Sequence, residues 1–229
     1  MTLPAEASSG AAASTPRRRL RIDRAGLPFV AIPLAAAIVS MLAGRPWAWL
    51  ALPAAACGAF CAWFFRDPDR PIPADPALVL SPADGRVTEV RDGASGLVVT
   101  IFLNVFNVHV NRVPVAGRVT SVTHRPGRFL AAYRPEAADV NERIDLVLET
   151  ARGPVAVAQI AGLIARRIVV RVRPGEQLAA GARYGLIRFG SCTQLTLPPG
   201  AEPLVKTGDT VHGGTSVIAR WRIGAAGAP

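Results

Sequence analysis

The 229 residues are 50% hydrophobic but only 6% aromatic, and they carry a net charge of +10 that is almost wholly arginine, because Lys206 is the single lysine. A lysine Schiff base to pyridoxal phosphate would have to use Lys206 in a Gly/Thr-rich turn, so no PLP is expected, and the basic balance instead suits an anionic surface such as phospholipid or nucleic acid. Cys57, Cys61 and Cys192 form no CxxC or His-Cys spacing, which leaves no disulfide framework and no metal site expected.

Residues 1–15 are mostly Ala, Ser, Gly and Pro with nothing to build a core, and Arg17, Arg18, Arg19, Arg21 and Arg24 follow. A disordered basic arm is expected over 1–25. Such an arm could bind nucleic acid, but no helix-turn-helix or zinc pattern accompanies it, so no nucleic-acid partner is expected. Residues 27–43 and 47–65 are free of charge and joined by Gly44-Arg45-Pro46. Each run is about the length that crosses a bilayer, and Trp47, Trp49 and Trp63 lie near the ends, where an aromatic belt belongs. The expectation is a two-helix membrane hairpin over 26–66, spanning or re-entrant. A cleaved signal peptide and a soluble helical hairpin are the competing readings. The depth of the arginine cluster and the second apolar run argue against the first. Arginines flank both outer ends, which places the rest of the chain on the cytoplasmic side.

Cys57 and Cys61 lie one helical turn apart in the second run and read as small packing residues. The proline-rich stretch 64–73 reads as a semi-rigid spacer. Short apolar runs then recur at 77–80, 85–90, 97–102, 105–110, 117–123, 144–149, 155–160, 168–172 and 186–189, separated by Gly, Pro and Asp turns. This predicts a mostly β (α+β) domain over 67–229, with short helices at 134–141 and 162–167. Residues 81–87 and 205–214 look alike, each a turn feeding a valine-containing strand. The second resembles the turns of lipoyl and biotinyl carrier domains, which implies a flattened β-sandwich or barrel-like shape; their swinging-arm lysine is missing.

Within 105–110 the alternation puts Phe106, Val108 and Val110 on one face and Asn107, His109 and Asn111 on the other. His109 is then either a residue of a solvated sheet face or a working histidine. His124 and His212 sit beside turn glycines and Asp84 sits in a turn of its own, and exposure explains them as well as chemistry does. Residues 184–197 read as a strand, a Gly190-Ser191 break and a second strand. The break is either a plain turn or a reactive bond. In the second case the Ser191 hydroxyl attacks the Gly190 carbonyl, the amide becomes an ester, and elimination leaves a dehydroalanine that hydrolyses to a pyruvoyl group.

The motifs Phe64-Phe65-Arg66-Asp67-Pro68, Ser81-Pro82-Ala83-Asp84-Gly85, Phe106-Asn107-Val108-His109-Val110-Asn111-Arg112, Asn141-Glu142-Arg143, Gln159-Ile160-Ala161-Gly162-Leu163-Ile164-Ala165-Arg166-Arg167 and Phe189-Gly190-Ser191 come in an order that resembles the short bacterial form of phosphatidylserine decarboxylase. The likeness runs from about residue 64 to residue 219. It implies a proenzyme cut after Gly190 into a large chain (1–190) and a small chain (191–229) that begins with a pyruvoyl group made from Ser191. That covalent group, with no metal and no PLP, would form a Schiff base with the amine of phosphatidylserine and yield phosphatidylethanolamine. By the Ser-Pro-x-Asp-Gly motif, Asp84 matches the family's working aspartate. His109 matches a working histidine, and Arg112 falls where the long form has a second one. Arg112, Arg166 and Arg167 are the candidates to hold the lipid phosphate. The likeness also implies an anionic membrane surface as partner, a homo-oligomer, and a catalytic domain on the cytoplasmic side of a bacterial inner membrane. Cys192 is a departure, since longer members have Thr there and many short ones Arg. The rivals are a pyruvoyl decarboxylase of another amine and a non-enzymatic, membrane-tethered carrier-like module.

Overall fold

The computed structural model describes residues 20–130, 136–163, 167–188 and 191–222. Residues 1–19 of the basic arm, Arg166 and Gly190 lie outside them.

The chain is ordered earlier than composition suggests. Leu20–Ile22 forms a strand, β1, and the Asp23 carboxylate after it accepts from the Ala25 amide and pairs with Arg171. The arm expected to be disordered to residue 25 is therefore tied down at its end by a buried charge with two partners. The hairpin follows: α1 (Leu27–Leu42), the short α2 (Arg45–Ala48) and α3 (Ala51–Phe64). Gly44 makes the turn at φ 87°, a backbone state that favours glycine. At Gly58 a Cβ would come within 2.8 Å of the Leu34 side chain, so α1 and α3 approach each other through a missing side chain. Residues 24–42 and 45–64 are each long and apolar enough to cross a membrane, and only 11% and 22% of them is buried. They are not the core helices of the β domain. β2 (Arg66–Pro68) returns antiparallel to β1.

The remaining strands are β3 (Leu78–Leu80), β4 (Gly85–Gly93), β5 (Gly96–Leu103), β6 (Val110–Arg112) and β7 (Gly117–Arg125). After the short helix α4 (Ala137–Val140) come β8 (Arg143–Thr150), β9 (Gly153–Ile160), β10 (Ile168–Val170) and β11 (Gln177–Leu178). The chain closes with β12 (Arg183–Ile187), β13 (Ser191–Leu197), β14 (Ala201–Pro203), β15 (Thr210–Val211) and β16 (Val217–Trp221). Eight strands form one antiparallel sheet in the order β11-β7-β8-β9-β13-β5-β4-β15, curled into a half-barrel. Two three-stranded sheets, β10-β12-β6 and β14-β16-β3, pack on it. They share its core: Leu97, Val99, Ile101 and Leu103 of β5, Val155 and Val157 of β9, and Leu195 and Leu197 of β13 meet Tyr184 of β12 and Ile218 of β16. The mostly β, barrel-like domain behind a helical hairpin is thus as the sequence predicts.

Two local expectations fail. Residues 105–110 do not form a strand, because Asn104 and Asn107 turn the chain first. The Asn104 side chain accepts from the Phe106 amide at 2.8 Å and the Asn107 side chain accepts from the Asn104 amide at 2.9 Å. Asparagine's local bonding overrides the alternation, and only Val110–Arg112 joins a sheet. The short helix expected at 134–141 is found as α4, whereas Gly162 and Leu163 of the second are not helical.

Candidate active site

Ser191 is the first residue of β13, opposite Leu103 of β5. Residues directly opposite share a face, so Ser191, Thr193, Leu195 and Leu197 all point into the half-barrel. The inner face of this one strand runs from apolar at depth to polar at its end. The polar end is completed from two other strands. Gln159, opposite Thr193 on β9, donates from Nε2 to Oδ1 of Asn111 at 2.7 Å, and Asn111 Nδ2 donates to Thr193 Oγ1 at 3.3 Å. Gly185 of β12 leaves room for this, since a Cβ there would lie 3.1 Å from Gln159 Nε2. Asn111, Gln159, Thr193 and Ser191 are all buried. Two oxygens of this cluster are buried with no hydrogen-bond partner among the described residues: Gln159 Oε1 and the Ser191 hydroxyl Oγ. A buried polar atom left unpaired is costly, and the second of these belongs to the residue that sequence singles out as nucleophile. Asn111, which alternation places on the polar face with His109, is fully buried.

His109 flanks the same segment. Its carbonyl accepts the Ile187 amide at 3.3 Å, at the end of β12 that leads to Ser191. The imidazole is buried rather than exposed on a sheet face. It lies 4.2 Å, centroid to centroid, from the ring of Phe64, the last residue of α3. Nδ1 is 3.0 Å from the Asn107 carbonyl. A carbonyl oxygen only accepts, so Nδ1 carries the proton and Nε2 is the ring's acceptor. Burial pulls the pKa down to about 4, with the Arg66 charge acting the same way and Asp84 opposing. The ring is therefore neutral at pH 7, the form that takes a proton.

Asp84 lies where the two look-alike turns interlock. Gly214 donates to the Ser81 carbonyl and Ser81 to the Ser216 carbonyl, each at 2.8 Å, and Gly85 and Arg86 pair with Val211 and Thr210. The Arg70 guanidinium clasps both Asp84 oxygens, at 2.5 and 2.8 Å, and the Gly213 amide donates to Oδ1 at 2.8 Å. The nearest imidazole is that of His212, 3.6 Å from Oδ2. Asp84 thus acts on His109 through its field rather than by a direct bond.

Residues 57–219 match the family model for phosphatidylserine decarboxylase. A phosphatidylserine decarboxylase proenzyme from Symbiobacterium thermophilum is 50% identical over 211 residues, which cover 89% of this chain and 97% of that protein. The chain belongs to the phosphatidylserine decarboxylase family.

The arginines divide by environment. Arg112 is buried, and its guanidinium is used by Asp67 at 3.4 Å and by the carbonyls of Gly181 and Pro68 at 3.1 and 3.0 Å. It is a structural cation in this family member. Arg167 is exposed and its carbonyl accepts the Arg188 amide at 3.3 Å. Arg188, which sequence reasoning passed over, precedes the Phe189-Gly190-Ser191 motif and lies with its guanidinium 5.0 Å from the ring centroid of Phe29 in α1. Burial and the nearby Arg167 charge both lower its pKa. Its Nε is buried with no partner, and no carboxylate pairs with it among the described residues. Its position next to the motif was the only sequence signal, and it was lost among many arginines.

Cys192 faces away from Ser191, opposite Phe102 and Ile160, and packs with Ala158 and Ile160. Burial pushes its thiol up to about 12, which removes it as a nucleophile. Among the described residues no group of His, Cys, Asp and Glu could hold a metal ion.

Proposed function

We propose that this protein converts phosphatidylserine to phosphatidylethanolamine, using a pyruvoyl group that it makes from its own Ser191. The observation that carries the reading is the buried, unpartnered Ser191 hydroxyl at the head of β13, in a segment flanked by a neutral His109. Such a hydroxyl needs a base. His109 Nε2 takes the Oγ proton as Oγ bonds to the Gly190 carbonyl carbon. The C–N bond between Gly190 and Ser191 then breaks, and the proton passes to the freed amine. Removal of the Ser191 Cα proton expels the Gly190 carboxylate from Cβ. The resulting dehydroalanine takes up water and releases ammonia, which leaves pyruvoyl at the head of the small chain. Once present, that group supplies an electron sink for the charge left when CO2 departs.

The chain's own residues do the rest. Asn111, Gln159 and Thr193 fix the floor of the site through their mutual bonds. His109, having taken a proton, returns one to the substrate Cα. Arg188 and Arg167 supply positive charge for the lipid phosphate, a role for which Arg166 is a further candidate. Asp84 offsets part of the burial cost of protonated His109. Both outer ends of the hairpin adjoin the site: Phe29 near the start of α1 meets Arg188, and Phe64 at the end of α3 meets His109. That proximity supports a headgroup processed at the bilayer surface, on the cytoplasmic side of the inner membrane by the positive-inside bias.

Intact mass of the purified protein, with and without hydroxylamine, tests the reading. The expected result is two chains meeting between Gly190 and Ser191, the small one blocked at its N-terminus and trapped by the reagent. The Ser191→Ala chain stays whole and produces no phosphatidylethanolamine from phosphatidylserine vesicles. A wild-type preparation that decarboxylates without being cut overturns the mechanism.

A further inference from the structure

One exposed aromatic takes no part in this chemistry. Phe106 is 66% exposed at the tip of the turn that Asn104 and Asn107 build. Water contact on a whole phenyl ring is unfavourable, yet the turn that presents it is held from both sides. Arg66 Nη2 donates to the Phe106 carbonyl at 2.7 Å. The same guanidinium lies 4.0 Å from the centroid of the Trp63 ring, and the Trp63 ring meets Phe106 edge-on at 5.9 Å. Phe60, one turn back in α3, is 6.4 Å from Trp63. Phe60 and Trp63 are themselves 42% and 40% exposed. Three rings therefore form a continuous open ladder that begins on a helix apolar enough to cross a membrane and ends on the β domain.

We propose that Phe106 is a lipid anchor: it enters the interfacial layer of the bilayer beside the end of α3 and seats the active-site turn on the membrane. The proposal rests on the hairpin being membrane-embedded, and only its consequence for catalysis rests on the substrate being a lipid. Aromatic rings favour the headgroup level, and arginine reaches from there to water or phosphate. A bilayer continues the surface that α3 already offers. The turn also carries His109, whose Nδ1 is fixed on the Asn107 carbonyl. Inserting Phe106 therefore sets the depth of the histidine relative to the headgroups, so that the serine headgroup reaches it with the acyl chains still in the bilayer.

The test uses the full chain with Cys57→Ala, since Cys61 and Cys192 are buried. Phe106→Cys carries an environment-sensitive fluorophore, the protein is reconstituted in vesicles of phosphatidylcholine and phosphatidylglycerol, and a label at exposed Arg91→Cys serves as reference. The expected result is blue-shifted emission at 106, quenched by bromolipids, with water-like emission at 91. Water-like emission at 106 overturns the proposal, as does a blue shift that bromolipids leave unquenched, which would mean that protein covers the ring. A second measurement uses Phe106→Ser, which should self-cleave normally. Its rate on vesicle phosphatidylserine should fall several-fold while its rate on a short-chain, monomeric phosphatidylserine holds. Equal loss on both substrates, or no loss on either, overturns the proposal. A quenched label on a protein without decarboxylase activity would fault the substrate assignment and leave the anchor standing.

Discussion

At the residue scale the proposed chemistry turns on how burial treats two groups. Ser191 is buried without a partner, and His109 is buried as a neutral ring with its proton fixed on Nδ1. His109→Gln keeps the shape and the amide donor but removes the base, so self-cleavage should slow by about 10²–10⁴-fold, measured by the appearance of the small chain over time. The same residue makes stability depend on pH. Its folded pKa of about 4 lies below the ordinary value of 6.5, so between these values the unfolded chain binds more protons. The stabilisation is fully present above pH 6.5 and is lost as pH falls toward 4, at about 1.4 kcal/mol per unit. Denaturant melts of the uncut Ser191→Ala chain from pH 4 to 8 should show this slope, and adding His109→Gln should flatten it. Cys192, on the opposite face of β13, should resist alkylation in the folded protein. Cys192→Ala should cost on the order of 1 kcal/mol and leave self-cleavage intact.

At the scale of elements, the site depends on two turns from distant parts of the chain. Asp84 is centred in their junction and gripped by Arg70, which also donates to the Gly213 carbonyl at 2.6 Å. Gly85 belongs to the same junction, where any side chain would overlap the Phe102 carbonyl oxygen of β5. Arg70→Ala leaves the buried Asp84 charge without its main partner and should destabilise the fold by about 3 kcal/mol, seen as a lower denaturant midpoint. Because Arg70 touches neither Ser191 nor His109 in the structure, the surviving folded fraction should still self-cleave. Loss of cleavage in fully folded protein would instead make the Arg70–Asp84 pair part of the chemistry.

At the scale of the whole molecule, the hairpin is not an appendage that can be trimmed at the membrane boundary. Phe64 and Phe65 pack with Val108, Val110 and Leu186 in a core of their own, and Phe65 also stacks on Phe29 at 5.5 Å. Removing residues 1–65 would free the chain from membrane but also strip β1 from β2 and bare that core. The truncated protein should aggregate or melt well below the full chain in a thermal scan. Phe64→Ala isolates the link to the site. It should cost about 3–5 kcal/mol and let water reach His109, so that the imidazole pKa rises toward its ordinary range, measurable by NMR titration of the ring.

The sequence by itself determined the kind of molecule: charge-free runs of bilayer length, period-two apolar alternation broken by Gly and Pro, and a set of motifs long enough to name a family. These signals are local, because hydrophobic period and turn chemistry act over a few residues. They also singled out Ser191, His109 and Asp84, which the structure gathers around the barrel's polar end and the junction beside it. What the sequence could not carry was the state of those residues. Read by alternation, His109 and Asn111 share a polar face, wet or working. Two asparagine side chains end the strand pattern early, and the fold buries both residues, Asn111 between β12 and β13 and His109 beneath the Phe64 ring at the end of α3. Arg112, a candidate for phosphate, is consumed by Asp67 and two carbonyls, whereas Arg188 pairs with no carboxylate among the described residues and lies beside Phe29 and Arg167. Burial, pairing and field are set by contacts between residues far apart along the chain, and only the tertiary structure decides them.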